Sequence, residues 1–204
     1  MPALHVVTDD EVVARGGFLD VARKIVDAGA ADVALHLRAP RASGRRMYGF
    51  ASALRGMTAD AGTLLIVNDR ADVALAAGAD GAQVGGRGLR PEDARRIIGP
   101  DRLLGVSVHS VDEARAAMDG GADYVLAGTI WETPSHPERS GAGIGLIREI
   151  AALGIPTVAI GGVTPERAAE ARGAGAAGVA TIRGVWDARD PTAAVEEYLK
   201  HWKE

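Results

Sequence analysis

The chain has 204 residues, 47% of them hydrophobic and 25% charged, a profile typical of a soluble globular protein with one core, so we expect a single domain over residues 1–204. Its net charge of −4 excludes the basic field that binds nucleic acid, and no apolar segment or basic leader indicates a membrane partner, so we expect a cytoplasmic protein. The absence of cysteine excludes disulfides and thiolate metal sites, which leaves His, carboxylate, hydroxyl and Arg side chains to carry any chemistry.

A repeated pattern divides the chain into eight similar units. Four glycines, at 29, 78, 121 and 175, each end an Ala-rich segment with helical periodicity, and a short β-rich apolar run follows. Four further apolar runs lie between these repeats. In chain order, the eight predicted strands are LHVV (4–7), ADVAL (31–35), TLLIV (63–67), DGAQV (80–84), RLLGVSV (102–108), DYVLA (123–127), PTVAI (156–160) and AGVAT (177–181).

A helical pattern follows every predicted strand. Eight alternations of strand and helix with short connections predict an α/β fold, a single closed parallel (β/α)₈ TIM barrel. An open doubly wound sheet is the alternative, but the turn after the first strand, VVTDDEVVARGG, lacks its G-x-G-x-x-G motif. The predicted helices cover 16–28, 43–57, 70–77, 91–98, 110–118, 143–153, 164–172 and 191–202.

Two consecutive strand ends of this barrel predict a phosphate site. Gly161 and Gly162 end the seventh strand, and the turn with Ile182 and Arg183 after the eighth strand opens an extra helical turn. Free backbone N–H groups and a helix N-terminus then meet at one point, where such barrels often bind phosphate. Arg183 is expected to add a charge-assisted contact. The alternatives are a simple glycine turn and a surface Arg without a ligand.

The longest connection, GTIWETPSHPERSGAG (128–143), follows the sixth strand and is typical of a lid or binding loop. Thr133 and Ser135 could donate hydrogen bonds to phosphate oxygens. His136 could bind phosphate or transfer a proton near neutral pH, although a solvated loop His is the simpler alternative.

The second strand predicts two inward-facing polar side chains. His36 and Arg38 alternate with apolar residues, so both are expected to point into the barrel mouth. Arg38 needs an anion there, either a ligand carboxylate or phosphate or an internal partner such as Asp9 or Asp69. His36 is a candidate catalytic residue, or else a hydrogen-bonded core residue.

The third strand ends in Asn68 and Asp69, which can contact substrate while Asp69 caps the next helix. A magnesium site favours two converging carboxylates, and the end of the fourth strand offers none, only Gly85-Gly86-Arg87-Gly88. The residues alone therefore predict no metal.

Several segments, notably NDRADVALAAGADG and GVSVHS, resemble the thiamine-phosphate synthase superfamily, which also contains TenI-type thiazole tautomerases. The resemblance covers nearly the whole chain and implies a (β/α)₈ barrel of thiamine biosynthesis that holds a thiazole phosphate. It also implies a homodimer, in which an exposed Trp131 or Trp186 could lie at the contact. The positions that match the synthase substrate and phosphate residues are Arg38, Asn68, Asp69, Ser107, Thr133, Gly162 and Ile182, with Ser135 in place of a second Thr.

Four positions depart from the patterns of the superfamily. Pro40 and His136 stand where the synthase has lysines, and Gly88 stands where it has a second magnesium carboxylate. The tautomerase needs a phosphate clamp and a proton shuttle without metal, but Thr129 stands where that branch has its catalytic His.

These departures favour a TenI-like tautomerase that aromatises a thiazole carboxylate phosphate, with His136 or His36 as the proton shuttle and no cofactor. The second hypothesis is a thiamine-phosphate synthase that uses Mg²⁺, in which His136 and Arg87 replace the lost cations. The third is a relative that binds thiazole phosphate without turnover. Three outcomes distinguish these hypotheses. Metal-free isomerisation supports the tautomerase, magnesium-dependent formation of thiamine phosphate supports the synthase, and binding without reaction supports the third.

Overall fold

The computed structural model describes residues 1–86, 88–133 and 140–204, and it confirms the eight-stranded parallel barrel. Each strand pairs with the next in sequence, and the last strand pairs with the first, which closes the sheet. The second strand begins at Val33, two residues later than predicted, because a short 3₁₀ turn occupies Ala30–Asp32. The strands are β1 Leu4–Val7, β2 Val33–Leu37, β3 Leu64–Asn68, β4 Gly81–Val84, β5 Leu103–Val108, β6 Tyr124–Gly128, β7 Thr157–Ile160 and β8 Gly178–Thr181.

Helices follow the strands, as the periodicity predicts, and several begin at a polar cap. Ser43, Ser110, Thr164 and Asp190 each accept a backbone N–H of the first helical turn. No helix in the described ranges is long and apolar enough to cross a membrane. The helices are α1 Phe18–Gly29, α2 Gly44–Ala61, α3 Ala71–Ala76, α4 Pro91–Ile98, α5 Val111–Asp119, α6 Ile144–Ala151, α7 Pro165–Gly173, α8 Arg183–Trp186 and α9 Pro191–Lys203.

The barrel interior is apolar on one side and polar on the other. A buried apolar cluster fills the side formed mainly by β6, β7, β8 and β1, with Tyr124 and Leu126 among its members. On the opposite side, β2 to β4 carry His36, Asn68 and Gln83, all buried. The larger hydrophobic core lies between the strands and the helices. The polar half of the interior therefore lies directly below one half of the barrel mouth.

The barrel closes where β1 meets β8, and α8 and α9 cover that seam. Trp186 of α8 is buried, with its ring 5.5 Å from the ring of Phe18. The expectation that Trp186 is exposed is therefore wrong, because this indole packs inside the chain, and the homodimer stays a prediction. Arg15 donates to the Trp186 carbonyl at 2.8 Å and pairs with Asp187 at 2.7 Å.

Candidate functional site

The carboxyl ends of the parallel strands bring most of the predicted site residues to one mouth. Those on β2, β3 and β5 or directly after these strands form one half, and those after β7 and β8 form the other. Thr133 is half-buried in the β6–α6 connection. Ser135, His136 and Arg87 lie outside the described residues, so their predicted roles stay predictions.

Arg38 is held at the mouth through its backbone. The buried Thr8 hydroxyl, at the end of β1, donates to the Arg38 carbonyl at 2.9 Å and lies 2.8 Å from the Arg38 N–H. Within the described ranges no carboxylate pairs with the Arg38 guanidinium, and Asp9, one predicted internal partner, pairs with Arg183 instead. The permanent charge of Arg38 is thus available for an anionic ligand.

Asp69 is exposed and has a left-handed backbone, with a φ of 62°, which is uncommon for a residue other than glycine. Its N–H donates to the Gln83 carbonyl at 2.8 Å, and this bond stabilises the turn that directs the chain across the mouth. Residues in such sparsely populated conformations cluster at functional sites. Arg70, not Asp69, is the N-cap residue of α3, so the expected helix-cap role of Asp69 is wrong, and its substrate contact stays a prediction.

Ser107 lies on the same half of the mouth, where its hydroxyl oxygen is 3.1 Å from the Gln83 amide nitrogen. A groove of about 770 Å³ extends outward from here between the β4–α4 connection and α5. Gly85, His109 and Glu113 line it together with Ser107. The mouth therefore continues into a wide opening on its polar side.

The metal ligands available at the mouth are few. Asp69 supplies one exposed carboxylate, and a Cβ added to Gly88 would lie 3.3 Å from its Oδ1 atom. Within the described residues, the one group of three close ligand atoms, from Glu166, Glu197 and His201, lies on α7 and α9 instead. The mouth therefore offers an incomplete cation site.

The other half of the mouth has the geometry predicted for phosphate. Gly161 and Gly162 both have positive φ values, 95° and 65°. A Cβ at Gly162 would lie 2.5 Å from the Glu132 carbonyl oxygen and 2.8 Å from Trp131 Cβ, so only glycine fits against the β6–α6 connection. Within the described residues, the N–H groups of Gly162 and Ile182 donate to no protein acceptor. Both are thus available to an anion.

The free N–H groups of Gly162 and Ile182 together form what we call the anion cradle. The Arg183 side chain turns away from this cradle toward acidic side chains. Its guanidinium lies 2.9 Å from both Asp9 and Glu11 and 3.7 Å from Asp187. These carboxylates raise the pKa of Arg183, the Glu11 hydrogen bond first among them. The structure therefore assigns its side chain to the link between β1 and α8, and direct phosphate contact by this guanidinium stays a prediction.

Tyr198 of α9 supports the cradle from below. Its hydroxyl donates to the Val163 carbonyl at 2.9 Å and also hydrogen-bonds to Thr181, while burial raises its pKa. A Cβ on Gly184 would collide with this hydroxyl. The Tyr198 hydroxyl therefore joins the loop after β7 to the end of β8, and it positions the two segments whose N–H groups face the anion.

We expect Tyr198→Phe to raise the KM for a phosphate-bearing substrate about five- to tenfold, since one neutral hydrogen bond contributes roughly 1 kcal/mol. Turnover at saturation should change less than twofold, because the hydroxyl contacts no reacting group. Steady-state kinetics tests this, with the exposed Tyr48→Phe as matched control. An unchanged KM contradicts the supporting role.

His36 lies deeper than predicted. Its ring is fully buried, and its Nε2 atom is 2.8 Å from Nδ1 of His5. Burial lowers the pKa of His36 to about 4, whereas the Asn68 side chain raises it. Burial also lowers the pKa of His5, and His36 adds to that shift. Both rings are therefore neutral at pH 7, in agreement with the hydrogen-bonded core alternative.

Two residues that shape the site had no distinctive sequence signal. Tyr198 occupies an ordinary apolar position of a terminal amphipathic helix. Thr8 ends the first strand and so is expected at the mouth, but the sequence does not show its contact with Arg38. Their roles depend on contacts with Val163 and Arg38, 35 and 30 residues away in sequence. Such contacts become visible only when the barrel is closed.

Comparison with known proteins identifies the family. The family model of thiamine monophosphate synthase matches residues 4–185. A thiamine-phosphate synthase of Methanoculleus marisnigri is 46% identical over 193 residues, which cover 94% of this chain and 90% of the relative. The enzyme of the same name from Roseiflexus sp. (strain RS-1) is 44% identical over 94% of this chain and 81% of its own length. A solved thiamine phosphate pyrophosphorylase from Pyrococcus furiosus superposes with a TM-score of 0.88 at 35% identity, covering 98% of this chain and 95% of that chain.

These findings contradict the TenI-like tautomerase hypothesis. The similar proteins are named thiamine-phosphate synthase, not tautomerase, so the placement closer to the TenI branch is wrong. Proton transfer by His36 or His136 belongs to that hypothesis, and the other predicted role of His136, phosphate binding, stays a prediction because the residue lies outside the described ranges. The chain belongs to the thiamine monophosphate synthase family.

Proposed function

We propose that the protein is a thiamine-phosphate synthase, a transferase that joins a pyrimidine pyrophosphate to a thiazole phosphate. The observation that carries this proposal is identity of 44–46% over 94% of this chain to two proteins named for that activity. The geometry supports it, because the mouth presents an anion cradle on one side and a cationic, polar surface on the other.

The thiazole phosphate occupies the cradle in this proposal. The N–H groups of Gly162 and Ile182 donate to its phosphate oxygens. Thr133, in the β6–α6 connection that contacts Gly162 through Trp131 and Glu132, is the predicted hydroxyl donor. Tyr198 fixes the distance between the two donor segments through Val163 and Thr181. The phosphate thereby orients the thiazole ring toward the centre of the mouth.

The pyrimidine pyrophosphate occupies the polar half, between Arg38, Asn68, Asp69 and Ser107. The thiazole ring nitrogen forms a bond to the pyrimidine-bearing carbon as its bond to the pyrophosphate oxygen breaks, and the pyrophosphate leaves with the electron pair. Arg38 stabilises the negative charge on the departing pyrophosphate, and Thr8 holds the Arg38 backbone in place.

The residues at the mouth fit a magnesium ion that is held by few protein ligands. Mg²⁺ is usually held by one or two carboxylates together with substrate phosphates, and Asp69 supplies one carboxylate at the right edge of the mouth. When bound, the ion neutralises charge on the leaving pyrophosphate. Because Gly88 provides no second carboxylate, we expect this protein to bind magnesium more weakly than enzymes in which two carboxylates hold the ion.

The test is a coupled measurement with the purified protein and both precursors. We expect thiamine phosphate and pyrophosphate to form in a 1:1 ratio in the presence of Mg²⁺. When EDTA is added, neither product should form. A thiazole carboxylate phosphate incubated without the pyrimidine substrate should not isomerise. Binding of thiazole phosphate with no product under any metal condition would refute the synthase and support the non-catalytic hypothesis.

We expect Gly88→Asp to lower the Mg²⁺ concentration for half-maximal activity about tenfold. The new Cβ lies 3.3 Å from Asp69 Oδ1 and places a second carboxylate beside the first. Titration of activity with MgCl₂ measures this, and Gly88→Asn controls for side-chain volume. The same magnesium requirement in the Asp and Asn variants contradicts the assignment of this edge to the metal.

A further inference from the structure

His109 lies where the ends of two neighbouring strands meet. The residue directly follows β5, is exposed, and lines the groove together with Ser107. Its ring Nδ1 atom is within hydrogen-bond distance of the carbonyl oxygen of Gly128, the last residue of β6. The ring therefore connects the polar half of the mouth with the start of the β6–α6 connection.

The backbone of His109 is held in place from the side of α5. Its N–H donates to the Glu113 carboxylate at 2.7 Å, and the Glu113 N–H donates to the Ser110 hydroxyl at 3.1 Å. Ser110 is the N-cap residue of α5, so these two bonds join the end of β5 to the first turn of the helix. The ring thus extends from a backbone position that the helix cap fixes.

The contact with Gly128 determines which ring nitrogen of His109 carries a proton. A carbonyl oxygen only accepts hydrogen bonds, so Nδ1 must be the donor. Nδ1 carries a hydrogen both in the neutral Nδ1–H ring and in the charged ring, so this bond forms in either charge state. A neutral ring with its hydrogen on Nε2 could not form it.

The segment that begins at Gly128 leads to the wall of the anion cradle. The Trp131 N–H donates to the Gly161 carbonyl at 3.0 Å, which aligns the segment with the end of β7. A Cβ at Gly162 would lie only 2.8 Å from Trp131 Cβ, so the backbone of Gly162 is in close contact with this segment. The path of the chain from Gly128 therefore affects the position of a cradle N–H group.

We propose that His109 is a positioning residue for the anion cradle. By donating to the Gly128 carbonyl, its ring fixes the start of the segment that packs against Gly162. Its effect is then on thiazole phosphate binding, although the residue lies on the half of the mouth assigned to the pyrimidine pyrophosphate. The identity of the phosphate ligand rests on the proposed synthase function, whereas the hydrogen bond between β5 and β6 does not.

Nitrogen NMR of the ¹⁵N-histidine-labelled protein tests the hydrogen bond directly. The resonances that disappear in His109→Asn identify this ring. When the ring is neutral, we expect its hydrogen on Nδ1. A neutral His109 ring with its hydrogen on Nε2 overturns the proposal, and this measurement needs no substrate.

Kinetics of two variants tests the positioning role. His109→Leu removes the donor and should raise the KM for thiazole phosphate about fivefold, while kcat changes less than twofold. His109→Asn keeps a side-chain N–H in the place of Nδ1–H, so its KM should stay within twofold of the unmodified protein. His201→Leu is the control, because this partly exposed histidine lies on α9 and pairs with Glu204.

Two kinetic results would contradict the positioning role. Equal KM values in the Leu and Asn variants would show that the donor has no effect. A higher KM for the pyrimidine pyrophosphate, with that for thiazole phosphate unchanged, would show that the ring contacts the other substrate instead. If His109→Leu does not fold, His109→Asp makes the same comparison, since its carboxylate has the shape of the Asn amide without a donor.

Calorimetric titration with thiazole phosphate alone separates this proposal from the proposed function. His109→Leu should bind it about fivefold more weakly, and His109→Asn as well as the unmodified protein does. Equal affinities of the unmodified protein and His109→Leu refute the positioning role alone. Failure of the unmodified protein to form thiamine phosphate, with thiazole phosphate still bound, refutes the proposed function alone. Absence of thiazole phosphate binding overturns both.

Discussion

Replacing Gly162 with alanine is expected to destabilise the protein by about 2–4 kcal/mol and to weaken thiazole phosphate binding about 100-fold. The backbone here has a φ of 65°, and the added methyl group would lie 2.5 Å from the Glu132 carbonyl oxygen. The loop must move to relieve that contact, and its N–H then points away from the phosphate. One hydrogen bond to a charged group contributes roughly 1.5–3 kcal/mol, and the upper end of that range corresponds to the expected loss of affinity.

Urea unfolding and calorimetric titration with thiazole phosphate measure the two effects separately. Gly173→Ala is the matched control, because Gly173 lies in α7, has open space around its Cα, and should gain up to about 1 kcal/mol from higher helix propensity. Normal phosphate affinity in a folded Gly162→Ala protein would exclude this loop from the phosphate site.

Acidification from pH 6.5 to pH 4 is expected to remove roughly 3 kcal/mol of stability through His36 alone. Its pKa is about 4 in the folded protein and about 6.5 in the unfolded chain, so the unfolded chain binds the proton first. Stability is therefore complete above pH 6.5 and falls progressively as the pH approaches 4. Burial lowers the pKa of His5 as well, so its contribution has the same sign.

The free energy of unfolding in urea, measured at several values between pH 7 and pH 4.5, tests this dependence. The His5→Leu/His36→Leu double variant should lose most of the slope in that range, since it removes both buried imidazoles. His201→Gln should keep it, because His201 is partly exposed on α9. Equal slopes in the unmodified protein and the double variant contradict the assignment.

The sequence alone was sufficient for the barrel, because its signals are local. Four helical segments end at a glycine that a β-rich run follows, and strand and helix patterns alternate eight times along the chain, which predicts a closed barrel. The predicted second strand starts two residues too early because Ala31 and Asp32 adjoin Val33 with no glycine or proline between them to mark the boundary. Local propensity does not distinguish an alanine in a 3₁₀ turn from one in a strand.

The site was only partly predictable, because side-chain direction depends on tertiary partners. Strand ends placed Arg38 and Asn68 at the mouth, but periodicity could not show that His36 bonds His5 below it or that Arg183 turns toward Asp9. The function was misassigned for a related reason. The absence of two lysines and one carboxylate from a motif does not show that the reaction is absent, because magnesium can be held by one carboxylate and the substrate phosphates.

The pairing of β1 with β8 affects how the chain folds while it is being synthesised. A ribosome releases β1 long before β8, so β1 keeps an unpaired edge until residues 178–181 emerge, and such edges are prone to aggregation. The phosphate cradle is completed later still, when Tyr198 of α9 reaches Val163. An anion bound between the N–H groups of Gly162 and Ile182 would therefore stabilise chains in which α9 has docked over chains in which it has not.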